Sequence, residues 1–368
     1  MTLGAAHVFD SEKCGFVNKK ICVEDGVFSD FLPCDDADDV YIIPGLVDVH
    51  THGRCGYDIM ECDKAALSAL SVEYAKTGVT SVFPTVMTAQ MEKVFCAVKT
   101  IRDTKPAGAR FFGVHVEGPF ISEKKPGCHN VADIKAPSES LMRSIIDDAS
   151  PLRVHFTIAP EKCTDELIKS ISEAATLGIG HTAADYETAM RAVNNGARSF
   201  THTFNAMSPL SHREPGTVGA ALESDAYAEF ICDGFHVSPD VISLAYRAKR
   251  NACDKFVIIT DSLSVAGLDD GEYEMNGIRF TLSGSSAKRA DGVIVGSVID
   301  MLSSVKNLAK FAGIPFEKAL ISATKNPAEM VGIYDKVGSI DIGKYADFVV
   351  LDSKMNIISV YVGGEKIV

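Results

Sequence analysis

The sequence predicts an eight-fold β/α barrel of the TIM type. Three observations predict it. From Tyr41 onward, short apolar segments alternate with helical segments, and eight such strands can be counted. Several strands are almost continuously apolar, as parallel strands buried on both faces must be. No Gly-x-Gly-x-x-Gly fingerprint opens the first unit, which argues against a doubly wound open sheet.

Taken in order, residues 1–43 read as short strands with turns, including a hairpin-like Asp25-Gly26, and carry no chemistry; His7 reads as a surface histidine. Tyr41 to Gly53 (YIIPGLVDVHTHG) reads as the first barrel strand, with Pro44-Gly45 marking a break. A helix follows over Asp63 to Lys76, stopped by Gly78. The next units are strand Val79 to Val86 with helix Ala89 to Thr104, and strand Arg110 to Phe120 with a long loop and helix Ser138 to Ala149. Then come strand Arg153 to Glu161 with helix Thr164 to Thr176, and strand GIGHT with helix Ala184 to Asn195. Strand Ser199 to Met207 precedes a short helix near Val218, and strand AEFICDGFHV precedes helix Pro239 to Asn251. The eighth strand, Lys255 to Leu263, leads into a Gly/Ser/Asp-rich insertion over Ala266 to Val293, with a hairpin turn at Asn276-Gly277. The insertion is expected to lean over the barrel mouth, and helix Ser297 to Ala312 follows it.

Composition narrows the function. The chain has 368 residues, 46 % apolar and 23 % charged, with a formal net charge of −13. That acidic balance, with no basic stripe, excludes nucleic acid as a main partner. No apolar run reaches membrane-spanning length. The opening MTLGAAHVFD lacks a basic-then-apolar pattern, and the ten cysteines form no Cys-x-x-Cys pair. A cytoplasmic protein with reduced thiols is expected.

In a barrel of this kind, chemistry sits at the C-terminal strand ends. His50 and His52 are two apart on the first strand, so both imidazoles face the same way. Strand three ends in Glu117, strand five in His181, strand six in His202, strand seven in Asp233 and His236, and strand eight in Asp261. Six of eight strands thus deliver a His, Asp or Glu to one face. One carboxylate among several imidazoles is the ligand chemistry of a divalent metal. Glu117, His181 and His202 can hold one ion. His50 and His52, with Glu117 as a bridge, can hold a second. Such a metal acidifies water to a pKa of about 7, and Asp261 suits a proton shuttle between that water and a leaving amine. His115 and His155 lie inside their strands and read as core residues; His115 shares a face with Glu117 and is expected to orient it.

The motifs PGLVDVHTHG, HVEGPF, KKPGCHN, TIAPE, GHTAAD, THTFNAMSPL, HREPG, DGFHV, ITDSL and GSIDIGKYADFVVLD run from Pro44 to Asp352. Together they resemble the N-acetylglucosamine-6-phosphate deacetylase branch of the amidohydrolase superfamily. The resemblance implies a small β-sandwich made of residues 1–43 and 342–368 beside a barrel of residues 44–341. It implies Glu117, His181 and His202 as the main metal ligands and Asp261 as the catalytic acid/base. His129 would contact the substrate and polarise its acetamide carbonyl, with Cys128 beside it in the same loop and its thiol inert. Asn205 and Ala206 would offer backbone contacts to a sugar phosphate, and Arg213 and His236 would bind that phosphate. Asp233, Gly234, Phe235 and His236, with Ile294, Val295 and Gly296, would line the substrate. TIAPEK places Ala159 and Pro160 at the fourth strand's end, so no lysine bridge is expected there. The implied cofactor is one or two divalent metals per subunit, zinc first, then iron, manganese or cobalt. The implied assembly is a homodimer, and the implied partner is a small phosphosugar. A galactosamine-epimer deacetylase, another N-acyl hydrolase and a non-catalytic barrel scaffold are the rivals.

Overall fold

The computed structural model describes residues 2–275 and 277–368. Eight parallel strands form the barrel: β1 (Leu46–Thr51), β2 (Val79–Met87), β3 (Gly113–Glu117), β4 (Arg153–Ile158), β5 (Thr176–Ile179), β6 (Ser199–Phe200), β7 (Tyr227–Ile231) and β8 (Phe256–Ile259). Neighbours pair in sequence order from β1 to β8, and one bridge, Thr51 to Ser262, closes the ring. Helices pack outside it. Lys64–Lys76 begins at Asp63, whose carboxylate accepts from Ala65 N–H at 2.8 Å, and Glu139–Ala149 begins at Ser138. Met142, Ile145, Ile168 and Ile171 bury their faces against the strands.

The stretch read as one first strand is two. Tyr41–Pro44 belongs to a separate seven-stranded sheet, and β1 starts at Leu46. The hinge is Gly45, where an added Cβ would lie 1.9 Å from Thr80 Oγ1, so only glycine lets the chain cross between domains here. The seven-stranded sheet joins N-terminal strands Ala6–Asp10, Gly15–Glu24 and Val27–Pro33 to C-terminal strands Phe348–Leu351, Ile357–Val362 and Glu365–Lys366. It wraps its own apolar cluster, with Val8, Ile21, Phe28, Ile42 and Phe348 buried, as the small sandwich. His7 is half-buried, its Nδ1 2.9 Å from Asn18 Oδ1.

Several boundaries move inward. The fourth helix ends at Ser172, and Thr176 already belongs to β5. The seventh ends at Ala248, and the helix placed at Ser297 begins at Met301, after Asp300 caps it. The sequence reading did not single out two further helices, Phe316–Ile321, which packs with the outer helices, and Lys325–Met330, whose Ala328 and Met330 pack on Val47, Val49, Phe83, Tyr227 and Val257 of the strands. The insertion is a four-stranded sheet, Gly271–Met275, Ile278–Ser283, Ser286–Lys288 and Ile294–Gly296. Of the expected turn, Asn276 lies outside the described residues. Met275, Phe280, Leu282 and Val295 pack on Leu263 and Val265, just beyond β8, and Cys128 packs on them.

Candidate functional site

At the C-terminal mouth a pocket of about 260 Å³ opens onto His52, Glu117, His129, His181, His202 and Asp261. Two different backbone devices aim these side chains. His50 lies on β1 and His52 one residue past its end; the pairing of β1 with β2 is irregular between Asp48 and Thr51, and both rings turn inward there. His181, His202 and Asp261 lie two residues beyond their strands with φ of 45°, 31° and 49°. That left-handed region is costly for non-glycine residues and persists where the surroundings fix it. β6 is accordingly only two residues long, because positive φ at His202, Phe204 and Ala206 ends it.

The polar atoms converge. Glu117 Oε1 lies 3.1 Å from His181 Nε2 and 3.0 Å from His202 Nε2, and the two nitrogens are themselves 3.0 Å apart. Glu117 Oε2 lies 3.2 Å from His52 Nε2 and 3.5 Å from His129 Nε2. Asp261 Oδ1 lies 3.3 Å from His50 Nε2 and 3.1 Å from His52 Nε2. Ligand atoms held tetrahedrally at about 2.0–2.2 Å from one ion stand roughly 3.3–3.6 Å apart, so this spacing fits a cation between them. Two groups emerge, His50–His52–Asp261 and Glu117–His129–His181. His202, on the same Glu117 oxygen as His181, adjoins the second. Glu117 reaches both groups, as a bridging carboxylate would.

The electrostatics agree. Burial opposes the charge on His52, but hydrogen bonds to Asp261 and Glu117 outweigh it and raise the imidazole to about 9. Burial likewise opposes the charges on Glu117 and Asp261, yet facing imidazoles hold both carboxyls well below their ordinary range. The centre therefore holds two ionised carboxylates, with only imidazoles to balance them. His129 differs: burial pushes it down to about 4, so it stays neutral at pH 7. Its Nδ1 is buried without a partner.

The predicted binding residues fall in three places. Cys128, Asn205, Ala206, His236, Ile294 and Val295 line the pocket. Asp233 stands behind it: Oδ2 lies 2.6 Å from His236 Nδ1, and Oδ1 accepts from the N–H groups of Phe235 and His236, which leaves His236 Nε2 for a ligand. Gly234, Phe235, Gly296 and Arg213 are not among the lining residues, and Phe235 and Arg213 are exposed. His115 does not orient Glu117. Its two nitrogens go to Thr85 Oγ1 at 3.2 Å and Thr157 Oγ1 at 2.8 Å.

The structure adds Met87, Leu263 and Gly127 to the wall. Met87 ends β2 and Leu263 follows β8, so the strand-end rule could have found them. Gly127 could be read only in part: it has φ of 59°, and an added Cβ would sit 2.9 Å from His181 Cε1. The Lys125 carbonyl, 2.9 Å from His181 Nδ1, fixes that ring through backbone and leaves no signal in residue type.

Residues 41–367 match the amidohydrolase family. The chain is 34 % identical to N-acetylglucosamine-6-phosphate deacetylase of Bacillus subtilis, over 87 % of this chain and 83 % of that one. It is 29 % identical to N-acetylgalactosamine-6-phosphate deacetylase of Escherichia coli O157:H7, over 93 % of each. The crystal structure of N-acetylglucosamine-6-phosphate deacetylase from Pasteurella multocida superposes with a TM-score of 0.91 at 30 % identity, over 100 % of this chain and 99 % of that one.

Proposed function

This chain belongs to the amidohydrolase family, and we propose that it is a metal-dependent deacetylase that converts N-acetylglucosamine 6-phosphate to glucosamine 6-phosphate and acetate. The observation that carries the chemistry is the convergence of imidazoles on Glu117 beside Asp261 in a mouth pocket. The substrate follows from the named relatives.

Glu117, His181 and His202 would hold the main divalent cation, zinc in the first instance, and His50 and His52 a second. A bound cation supplies Lewis-acid polarisation of the amide carbonyl and acidifies the attacking water. Asp261 takes the proton from that water and passes it to the departing amine. Neutral His129 donates a hydrogen bond to the carbonyl oxygen as negative charge builds there. His236, anchored by Asp233, donates from Nε2 to the phosphate, beside the backbone of Asn205 and Ala206. Arg213 is exposed and absent from its own pocket wall, which supports a homodimer in which it reaches the partner subunit's phosphate. No described helix is long and apolar enough to cross a membrane. Cytoplasmic amino-sugar breakdown is the setting we propose.

The test is acetate release from N-acetylglucosamine 6-phosphate, its unphosphorylated parent and the galactosamine epimer, with bound metal counted on the same sample. Preferential turnover of the phosphorylated glucosamine derivative is expected. Preference for the epimer would move the assignment to the activity named for the E. coli relative. Equal turnover of the parent sugar would remove His236 and Arg213 from the site.

A further inference from the structure

Seven of the eight junctions in the barrel are ladders, and the eighth is not. Between β8 and β1 the only bridge among the described residues is Thr51 to Ser262. This weak seam carries His50, His52 and Asp261. Backbone N–H groups of His52 and Gly53 donate to Ser262 O at 2.8 and 3.1 Å, and a side chain adds a clasp one step further in. Asp48, 1 % exposed, accepts through Oδ1 from the N–H groups of His50 and Thr260, both at 3.3 Å. Its Oδ2 accepts from Thr260 Oγ1 at 2.5 Å, and Thr260 Oγ1 in turn accepts from Ser262 N–H at 3.3 Å. The residue held between Thr260 and Ser262 is Asp261, with its left-handed φ of 49°. Its own N–H donates to His50 O at 2.9 Å, and its carbonyl accepts from Ser297 N–H at 2.9 Å.

A strained backbone at a reacting carboxylate survives only if its neighbours over-determine it. Here the clasp fixes Thr260 and Ser262, the residues on either side of Asp261, where a single bridge replaces a ladder. We infer that Asp48, acting through the Thr260 hydroxyl, is a positioning residue that fixes the Asp261 carboxylate relative to His50 across the barrel seam. This rests on Asp261 being the proton-transfer group proposed above. Asp48 touches no substrate; its effect passes through the backbone on either side of Asp261.

The test compares Thr260→Val, which keeps the side chain's shape and deletes the hydroxyl, with Thr260→Ser, which keeps the hydroxyl. Thr260→Val is expected to lower kcat for N-acetylglucosamine 6-phosphate roughly 10- to 100-fold, the worth of one buried hydrogen bond to a charged group. KM and bound metal should hold, and amide hydrogen exchange in the 257–264 segment should speed up. Thr260→Ser should recover most of kcat and the slow exchange. Asp48→Asn, which turns an NH2 group towards one set of donors, should lower kcat in the same direction. Wild-type kcat and exchange in Thr260→Val would overturn the inference. So would a Thr260→Ser variant as impaired as Thr260→Val, since packing rather than the hydroxyl would then matter. If the wild-type enzyme released no acetate, the proposed reaction would fail, while the exchange comparison would still decide the clasp.

Discussion

Two layers of histidine and carboxylate lie inside this barrel, one beneath the other, and they do different things. The mouth layer holds His50, His52, Glu117, His181, His202 and Asp261. The lower layer holds His115, His155 and Glu229, all fully buried. They nearly touch: the His115 ring lies 4.4 Å below that of His50 and stacks on His155 at 4.7 Å. Among the described residues, no group of nitrogens converges on one oxygen in the lower layer, and His155 Nδ1 and Glu229 Oε2 are buried without a hydrogen-bond partner. His115 has two threonine hydroxyls, and Glu229 Oε1 takes Ser199 Oγ at 2.8 Å and faces His155 Nε2 at 3.3 Å. In the mouth layer, nitrogens from three strands crowd one glutamate oxygen beside open volume. Residue type is the same in both. Convergence on a shared point, next to space for a reactant, is what separates a site from a polar core.

The contrast predicts opposite phenotypes. The largest loss is expected from Glu117→Gln, because both metal groups share that carboxylate. Bound metal counted by atomic emission should fall and acetate release should drop to background; chelation of the wild-type protein should do the same. Retained metal with full turnover would show that the layer does not work through Glu117. Asp261→Asn comes next, with kcat down about 10²–10⁴-fold and the metal count kept. The lower layer should respond in stability instead. Glu229→Ala leaves the buried Ser199 hydroxyl without its partner, and a denaturant melt should lose about 1–3 kcal/mol. Its kcat should change far less than that of Asp261→Asn. A large kcat loss with an unchanged melt would merge the two layers into one functional unit.

The mouth layer was the more legible in the sequence, and the reason is geometric. In parallel strands the C-terminal residues must meet at one mouth, so HVE, GHT, THT and ITD could be placed without coordinates. Reading His50 and His52 onto one side needed only the strand period, although β1 pairs irregularly between Asp48 and Thr51 and His52 lies one residue past its end. Cross-barrel pairing left no such trace. Asp48 meets Thr260 across 212 positions, and nothing in PGLVDVH distinguishes that aspartate from a ligand or a core residue. His115 was read as serving Glu117 because the two share a face; the hydroxyls of Thr85 and Thr157, on neighbouring strands, had the prior claim. The break at Gly45 was marked by Pro-Gly, but that the chain changes sheets there depends on how closely Thr80 approaches. Short β6 also escaped, since a run of apolar and β-branched residues conceals the positive φ values that end it.

A smaller effect sharpens the mouth layer's outer limit. Arg213→Ala should raise KM for the phosphorylated sugar roughly 10- to 100-fold, the scale of a hydrogen bond to a charged group, with kcat kept. A mixture of Arg213→Ala and Asp261→Asn subunits should then distinguish the two arrangements. If the arginine acts in the partner subunit's pocket, a mixed dimer has one pocket lacking both functional groups and one fully equipped pocket, so low-KM activity returns. If it acts in its own pocket, mixing restores nothing.

The smallest effect is expected at Cys128, on the wall beside His129. Burial and then the nearby Glu117 and Asp261 charges push its thiol up to about 12, so at pH 8 it remains protonated and a poor nucleophile. Cys96 and Cys253 are exposed. Iodoacetamide at pH 8 should label those two first, and their modification should leave acetate release intact. A thiol on the wall of a catalytic pocket would then be inert, first through burial and then through the charge that raises His50 and His52. It faces negative charge that adds to burial in disfavouring its own ionised form, whereas the same charge favours protonation of His50 and His52. Rapid labelling of Cys128 with loss of activity would mean that the field at this wall is positive, as it would be if bound cations outweigh the two carboxylates. The same experiment repeated on chelated protein would then restore the slow rate.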